Sequence, residues 1–380
     1  MSVAERNVID ETANPASTAQ QEMTAETIQV GTRTVGVEQP VYIVAELSAN
    51  HNQDFEKAVR IVQSAHEAGA DAVKLQTYTA DTITIQSDRE CFRIRGGTLW
   101  DGRTLYDLYG EAYTPWEWQP KLKAMCAELG LDFFSSAFDS SAVDFLEAMG
   151  VPVHKIASPE LVDLPLIQKM ARTGKPLILS TGMATLEEID EALAAARAAG
   201  ATQIAMLRCT SSYPSPPEEM NLRSIPDMAQ RYGLPVGLSD HTPSIAVSVA
   251  AVALGASIIE KHLTWSRAEG GPDSAFSLEP LEFQSLVHAI RSAERSLGQV
   301  QYGPTPHEIS TRSFRRSLFV VCDMQEGETF TPENIRSIRP ADGLHPRHLA
   351  EIIGRQAASN IERGTPMNWD LVDRSPKPKS

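Results

Sequence analysis

From residue 41 to residue 297 the chain alternates between short apolar runs and longer amphipathic stretches. The runs fall at 41–47, 72–76, 131–136, 153–157, 176–180, 203–208, 235–239 and 257–261. Each is too short for a helix and mostly apolar throughout, the pattern of a strand buried on both faces. Between the runs the period becomes helical. Residues 54–68 place Ala58, Ile61, Val62 and Ala65 on one stripe, and residues 186–199 place Ile189, Leu193 and Ala196 on another. Thr185-Leu186-Glu187-Glu188 has the spacing of a capping box. Gly69, Gly130, Gly150, Gly200 and Gly255 follow helical stretches, where a left-handed residue ends the last turn. Eight strand–helix units in about 260 residues predict an α/β fold, a (β/α)8 TIM barrel. The alternative is a doubly wound sheet, whose first strand is normally followed by a glycine-rich phosphate loop. Residues 47–52 contain no glycine.

Two segments break the period. Residues 77–114 are long for a barrel loop and carry Trp100, Tyr106, Tyr109 and Tyr113. So many aromatics imply a loop packed over something, and long ordered loops are commonly functional. After residue 297 the alternation stops. Residues 298–313 read as a linker, and residues 314–373 as a small β-type domain with a strand at 317–321. A unit of that size is near the lower limit for independent stability. The ends, 1–28 and 374–380, are polar and read as disordered tails, leaving 29–297 for the barrel.

The C-terminal ends of the predicted strands collect polar side chains, and in a parallel barrel that is where chemistry gathers. His241 and His262 follow consecutive strands, placed so that two imidazoles can share one metal ion. Taken singly, each is more often a satisfied core or loop histidine. Lys74 and Lys155 lie inside apolar strands, and a buried ammonium needs a carboxylate or a bound anion beside it. Ser136, Ser158, Ser180 and Ser239 sit at matching strand ends, where hydroxyls can donate to phosphate oxygens. Turn formation is the commoner role of any one such serine. With only two histidine ligands, the metal must take oxygens from water and substrate, which suits Mn²⁺ or Mg²⁺ better than structural zinc. His51, flanked by Asn50 and Asn52, reads as part of a hydrogen-bonded turn rather than as a third ligand. Asp273 lies in a loop after the eighth strand, as a base or a cap.

The net charge of -15 leaves no basic excess for a nucleic-acid surface, so an anionic guest requires a local cation cluster. Cys91, Cys126, Cys209 and Cys322 are scattered without a CxxC pair, which fits reduced thiols and a cytoplasmic setting. No run is apolar for long enough to span a membrane, and the first residues lack the pattern of a secretory signal.

The segments Ala45–Asn52, Val73–Thr77, Ser180–Met183, Gly237–Thr242 and Glu260–His262 resemble the sialic acid synthase family. The resemblance runs from about residue 29 to residue 373 and includes a C-terminal antifreeze-protein-like (SAF) domain. Residues 97–100, 104–109, 114–118, 209–214 and 272–278 resemble the branch that forms pseudaminic acid. The N-acetylneuraminate and legionaminate branches are the alternatives, and they usually carry Asn at the position of Ser211. A non-catalytic sugar-binding barrel is the alternative of another class, but it would be expected to lose its charged site.

The resemblance implies condensation of phosphoenolpyruvate with an open-chain N-acetylated amino sugar, 2,4-diacetamido-2,4,6-trideoxy-L-altrose. It further implies a divalent metal on His241 and His262, and phosphate and carboxylate held by the lysines and serines. Glu46 and Asp273 would handle protons, and Gln76, Glu160, Ser211 and Tyr213 would contact the sugar. Arg339 would reach in from the partner subunit of a domain-swapped homodimer.

Overall fold

The computed structural model describes residues 27–373, and its first element begins at Ile28, the last residue of the expected N-terminal tail. Strands β1 (Ile28–Val30) and β2 (Arg33–Val35) form an antiparallel hairpin. Ile28, Val30 and Val35 are buried in the main core, so the ordered chain begins before residue 29. Three inward apolar side chains around a Gly31 turn were too short a signal to stand out from the polar residues before them. The remainder of both expected tails, 1–26 and 374–380, lies outside the described residues.

Eight parallel strands follow and close into a barrel. They are β3 (Tyr42–Glu46), β4 (Ala72–Thr77), β5 (Asp132–Ala137), β6 (His154–Ile156), β7 (Leu177–Ser180), β8 (Ile204–Cys209), β9 (Val236–Asp240) and β10 (Ile258–His262). Closure pairs β10 with β3, His262 opposite Glu46. Helices surround the strands, and their apolar stripes are the predicted ones: Ala58, Ile61, Val62 and Ala65 on Phe55–Ala68, and Ile189, Leu193 and Ala196 on Leu186–Ala198, are buried. Thr185 and Glu188 form the capping box. No helix among the described residues is long and apolar enough to cross a membrane.

Three register pairs set the level of the site: Glu46 opposite Lys74, Ser136 opposite Lys155, and Ser239 opposite Glu260. On β9 and β10 the intervening residues, Asp240 and Lys261, also pair in register. They form a fully buried ion pair at 2.8 Å, with Asp240 also accepting from Ser248 Oγ at 2.6 Å. Alternation therefore gives these strands one face for Ser239 and Glu260 and another for their own fastening.

The chain divides after Gly298 into two compact units. The second contains an antiparallel pair, β11 (Ser317–Val320) and β12 (Ile335–Ile338), around its own core of Leu318, Val320, Phe330, Ile335, Ile352 and Met367.

Close strand packing at Gly237 in β9 generates a stability prediction. A β-carbon there would stand 2.8 Å from Leu207 Cδ2 and closer still to the Ile258 backbone. Gly237→Ala is expected to cost about 1–3 kcal/mol as overpacking. Gly110→Ala, with nothing within 4 Å and in the helix Leu105–Ala112, is expected to be neutral or to gain up to about 1 kcal/mol. Urea midpoints compare the two, and equal values would contradict this account of β9.

Candidate active site

The strand ends meet in a cavity of about 360 Å³ whose floor is ionic. Lys74 Nζ lies 2.6 Å from Glu46 Oε2 and 3.5 Å from Glu260 Oε1, and donates to Ser136 Oγ at 3.2 Å. Lys155 Nζ donates to Ser180 Oγ at 2.6 Å and to the Ile156 carbonyl at 3.2 Å, while Glu260 Oε2 stands 4.0 Å away. Ser239 Oγ donates to Glu260 Oε1 at 3.2 Å. All four ionisable groups are buried, and their charges balance.

The balance is uneven. Burial opposes the charge on Lys74, but Glu260 and Glu46 outweigh it and raise its pKa. Burial wins at Lys155 and lowers its pKa, with Lys74 adding to the effect. Burial raises the Glu46 carboxyl, and Glu260 reinforces this against Lys74. For Glu260 burial is overcome by Lys155 and Lys74 together, and its pKa falls.

His262 ends β10 and His241 follows β9, their ring centroids 5.2 Å apart. His241 Nδ1 is 3.0 Å from the Thr210 carbonyl, which can only accept, so the neutral ring keeps its lone pair on Nε2. His262 Nδ1 is buried without a hydrogen-bond partner, and burial, aided by His241, holds its pKa well below the ordinary histidine value. Burial opposes charge on His241, but Cys209 and the Thr210 carbonyl outweigh it and raise its pKa. With that ring deprotonated at Nε2, the two imidazoles fit a divalent cation that takes further ligands from water and substrate. Among the described residues no third His, Cys, Asp or Glu completes a metal cluster. His51 takes no part. Its Nδ1 accepts from Gln53 N at 3.0 Å and its Nε2 meets Thr114 Oγ1 at 3.1 Å, and burial lowers its pKa to about 4.

Beside the ionic floor Gln76 donates to Glu46 at 3.1 Å and to Ser48 at 2.9 Å, and Ser48 in turn donates to Asp273. Burial raises the Asp273 carboxyl despite that bond. Tyr213 stacks at 4.5 Å from His241 and 5.1 Å from Phe276. The 77–114 segment closes the cavity: Ile94 and Arg103 pair backbone to backbone, and Trp100 Nε1 donates to the Pro272 carbonyl at 3.0 Å. Trp100 and Tyr109 line the cavity, whereas Tyr106 bonds outward to Asp81.

Of the residues singled out from the sequence, Lys74, Gln76, Ser136, Lys155, Ser158, Ser180, Tyr213, Ser239, His241, His262 and Asp273 line one cavity. Glu46 stands just behind Lys74. Ser211 lies off the lining, 3.9 Å from Cys209 Sγ. Glu160 is also off it, and burial lifts its carboxyl to about 7. Arg339 belongs to the second unit, exposed just after β12. The site roles read from the sequence omitted Glu260, which joins the two lysines, and Tyr78, Phe138 and Phe276, which wall the cavity. The signal for Glu260 was present as a carboxylate inside an apolar strand, two residues before His262.

Known proteins share this arrangement of chain. The NeuB family model matches residues 61–302, and the SAF domain model matches residues 315–373. The chain belongs to the NeuB family. Within that family, a pseudaminic acid synthase of Helicobacter pylori is 45% identical over 89% of this chain and 99% of its own. An N,N'-diacetyllegionaminic acid synthase of Legionella pneumophila is 34% identical over 90% of this chain and 98% of its own. A solved N-acetylneuraminic acid synthetase from Leptospira borgpetersenii superposes with a TM-score of 0.67 at 31% identity, covering 76% of this chain and 95% of that one. The family resemblance read from the motifs, and the barrel with its SAF domain, therefore hold.

The uneven floor separates the two lysines experimentally. Lys74→Met strips two buried carboxylates of their nearest cation and is expected to cost about 3–5 kcal/mol of stability. Lys155→Met leaves both glutamates with Lys74 and is expected to cost less stability. Its larger effect should be on phosphate affinity, by about 2–5 kcal/mol. Denaturant midpoints and calorimetric titration with inorganic phosphate test this. The opposite ranking in both measurements would refute it.

Proposed function

We propose that this chain condenses phosphoenolpyruvate with the open-chain aldehyde of 2,4-diacetamido-2,4,6-trideoxy-L-altrose, yielding pseudaminic acid and phosphate. One observation carries the reading: a single cavity joins a floor of two lysines and four serines to an aromatic and aliphatic wall, with two imidazoles in its lining. The floor suits a phosphorylated carboxylate and the wall an acylated deoxy sugar. The likeness to pseudaminic acid synthases supports this acceptor over those of the neuraminate and legionaminate branches.

In this reading Lys155 and Lys74 hold the phosphate and carboxylate, and Ser136, Ser158, Ser180 and Ser239 donate to their oxygens. His241 Nε2 and His262 would hold Mn²⁺ or Mg²⁺, which when bound would supply Lewis-acid polarisation of the aldehyde oxygen. C3 of phosphoenolpyruvate then bonds to the sugar C1, and the former aldehyde oxygen takes up a proton. Positive charge left at C2 is met by water, which loses a proton. The C2–O bond to phosphate breaks as the new C2 hydroxyl gives up its proton, which the departing phosphate takes, and the 2-keto acid remains. Glu46 and Asp273, whose burial makes each hold a proton more readily than a surface carboxyl, serve these transfers. Gln76, Tyr213, Glu160 and Ser211 contact or frame the sugar. The four free cysteines suit a cytoplasmic enzyme. Arg339 completes the sugar pocket of the partner subunit in a swapped homodimer.

Phosphate release from the two substrates tests the reaction. It is expected to require a divalent ion, to stop on chelation, and to vanish in His241→Ala and in His262→Ala while the thermal midpoint barely moves. Turnover that survives chelation and both substitutions would remove the metal from the reading. Absence of turnover with the altrose acceptor and every tested metal would remove the reaction.

The dimer has its own test. Arg339→Ala is expected to raise KM for the sugar and to spare that for phosphoenolpyruvate. Mixing Arg339→Ala with His241→Ala should restore activity after subunit exchange, because one site of the heterodimer then carries neither defect. Exchange confirmed by mass without recovery would mean that Arg339 acts within its own chain or not at all.

A further inference from the structure

The cavity is divided by chemistry as well as by shape. Every lysine and serine of the lining is on its floor, while the helix Leu105–Ala112 and the stretch that follows the Arg93–Thr104 bridge bring Ile94, Leu105, Leu108 and Ala112 to the same space. Leu108 is 7% exposed, and Tyr78 beside it is 3% exposed. Tyr78 packs edge-on against Tyr109 and Phe138 at 5.5 and 5.1 Å. None of the lining residues that the segment 77–114 contributes is charged.

On the proposed reaction, the sugar C1 must face the phosphoenolpyruvate held on the floor. The far end of the six-carbon chain then points toward the covering segment. We propose that Ile94, Leu105 and Leu108 form a specificity wall that receives the C6 methyl of the acceptor and disfavours a hydroxyl there. This inference rests on the functional reading above and names which part of the acceptor the covering segment reads. A hydroxyl pressed against aliphatic carbon loses its hydrogen bonds to water without replacement. Apolar pockets reject an added hydroxyl only moderately, on the order of 10²-fold. That sets the size of preference to look for.

The test compares kcat/KM for 2,4-diacetamido-2,4,6-trideoxy-L-altrose with that for its 6-hydroxy counterpart, 2,4-diacetamido-2,4-dideoxy-L-altrose. The wild type is expected to favour the deoxy sugar by roughly 10²-fold. Leu105→Gln keeps approximate volume and Ile94→Thr shortens the side chain by one carbon; both lie at partly exposed positions and supply a hydrogen-bonding group to the wall. Each is expected to lower the preference tenfold or more, with the KM for phosphoenolpyruvate unchanged. A ratio that stays at the wild-type value in both variants, while the wild type makes pseudaminic acid efficiently, would overturn the wall alone. A wild type that takes neither altrose sugar but turns over N-acetylmannosamine would overturn the functional reading, and the wall with it.

Discussion

Two ammonium groups can leave water at the end of a barrel only if carboxylates leave with them, and this constraint organises the site. Glu46 comes from the first barrel strand and Glu260 from the last, so the quartet with Lys74 and Lys155 exists only once β10 pairs with β3. Closing the barrel and neutralising its floor are therefore one event. The charges cancel in number but not in distance: Lys74 has a carboxylate at 2.6 Å, and Lys155 has none closer than 4.0 Å. Lys155 is oriented by Ser180 and Ile156 and only weakly engaged by a carboxylate, which leaves it the more available cation for an anionic guest. A protein of net charge -15 can thus attract an anion locally, because desolvation leaves one cation under-compensated.

The covering segment answers a different demand. On the proposed reaction, condensation passes through positive charge at a carbon, and a cover over the cavity would keep bulk solvent from quenching it at the wrong moment. Trp100 tied to Pro272, and Tyr213 stacked between Trp100, His241 and Phe276, make that cover apolar. Part of the aromatic excess in residues 77–114, Tyr78, Trp100 and Tyr109, follows from its position over the site.

Most of the barrel was legible because strands buried on both faces leave short apolar runs bounded by helix caps. The run at 72–76 became Ala72–Thr77, and that at 257–261 became Ile258–His262. Strand-end residues were legible for the same reason, since the fold dictates where such ends meet. What escaped were features set by long-range pairing. Nothing local assigns Glu260 to both lysines, because its partners lie on strands brought near only by closure. Nothing local marks Phe138 as part of a cavity wall, and Phe276 stood out only as part of the 272–278 motif. Ile28 was hidden in a polar neighbourhood by the brevity of its strand.

Alternation on β9 and β10 explains how the two imidazoles stay in place without contacting each other through hydrogen bonds. Ser239 and Glu260 face the cavity, and the next residue on each strand, Asp240 or Lys261, turns the other way into a dry ion pair. Lys261 also donates to the carbonyls of Thr242 and Ser244, in the turn that follows His241. One ammonium therefore ties together the strand bearing His262, the strand preceding His241 and the loop leaving it. A buried pair of this kind adds little net stability against an apolar substitute, because desolvation consumes most of the attraction. Its value is geometric: the donors and acceptors gathered around this pair leave few alternative arrangements of the two strand ends. The imidazoles inherit that rigidity through the backbone, and Thr210 engages Nδ1 of His241, which leaves Nε2 for the cavity.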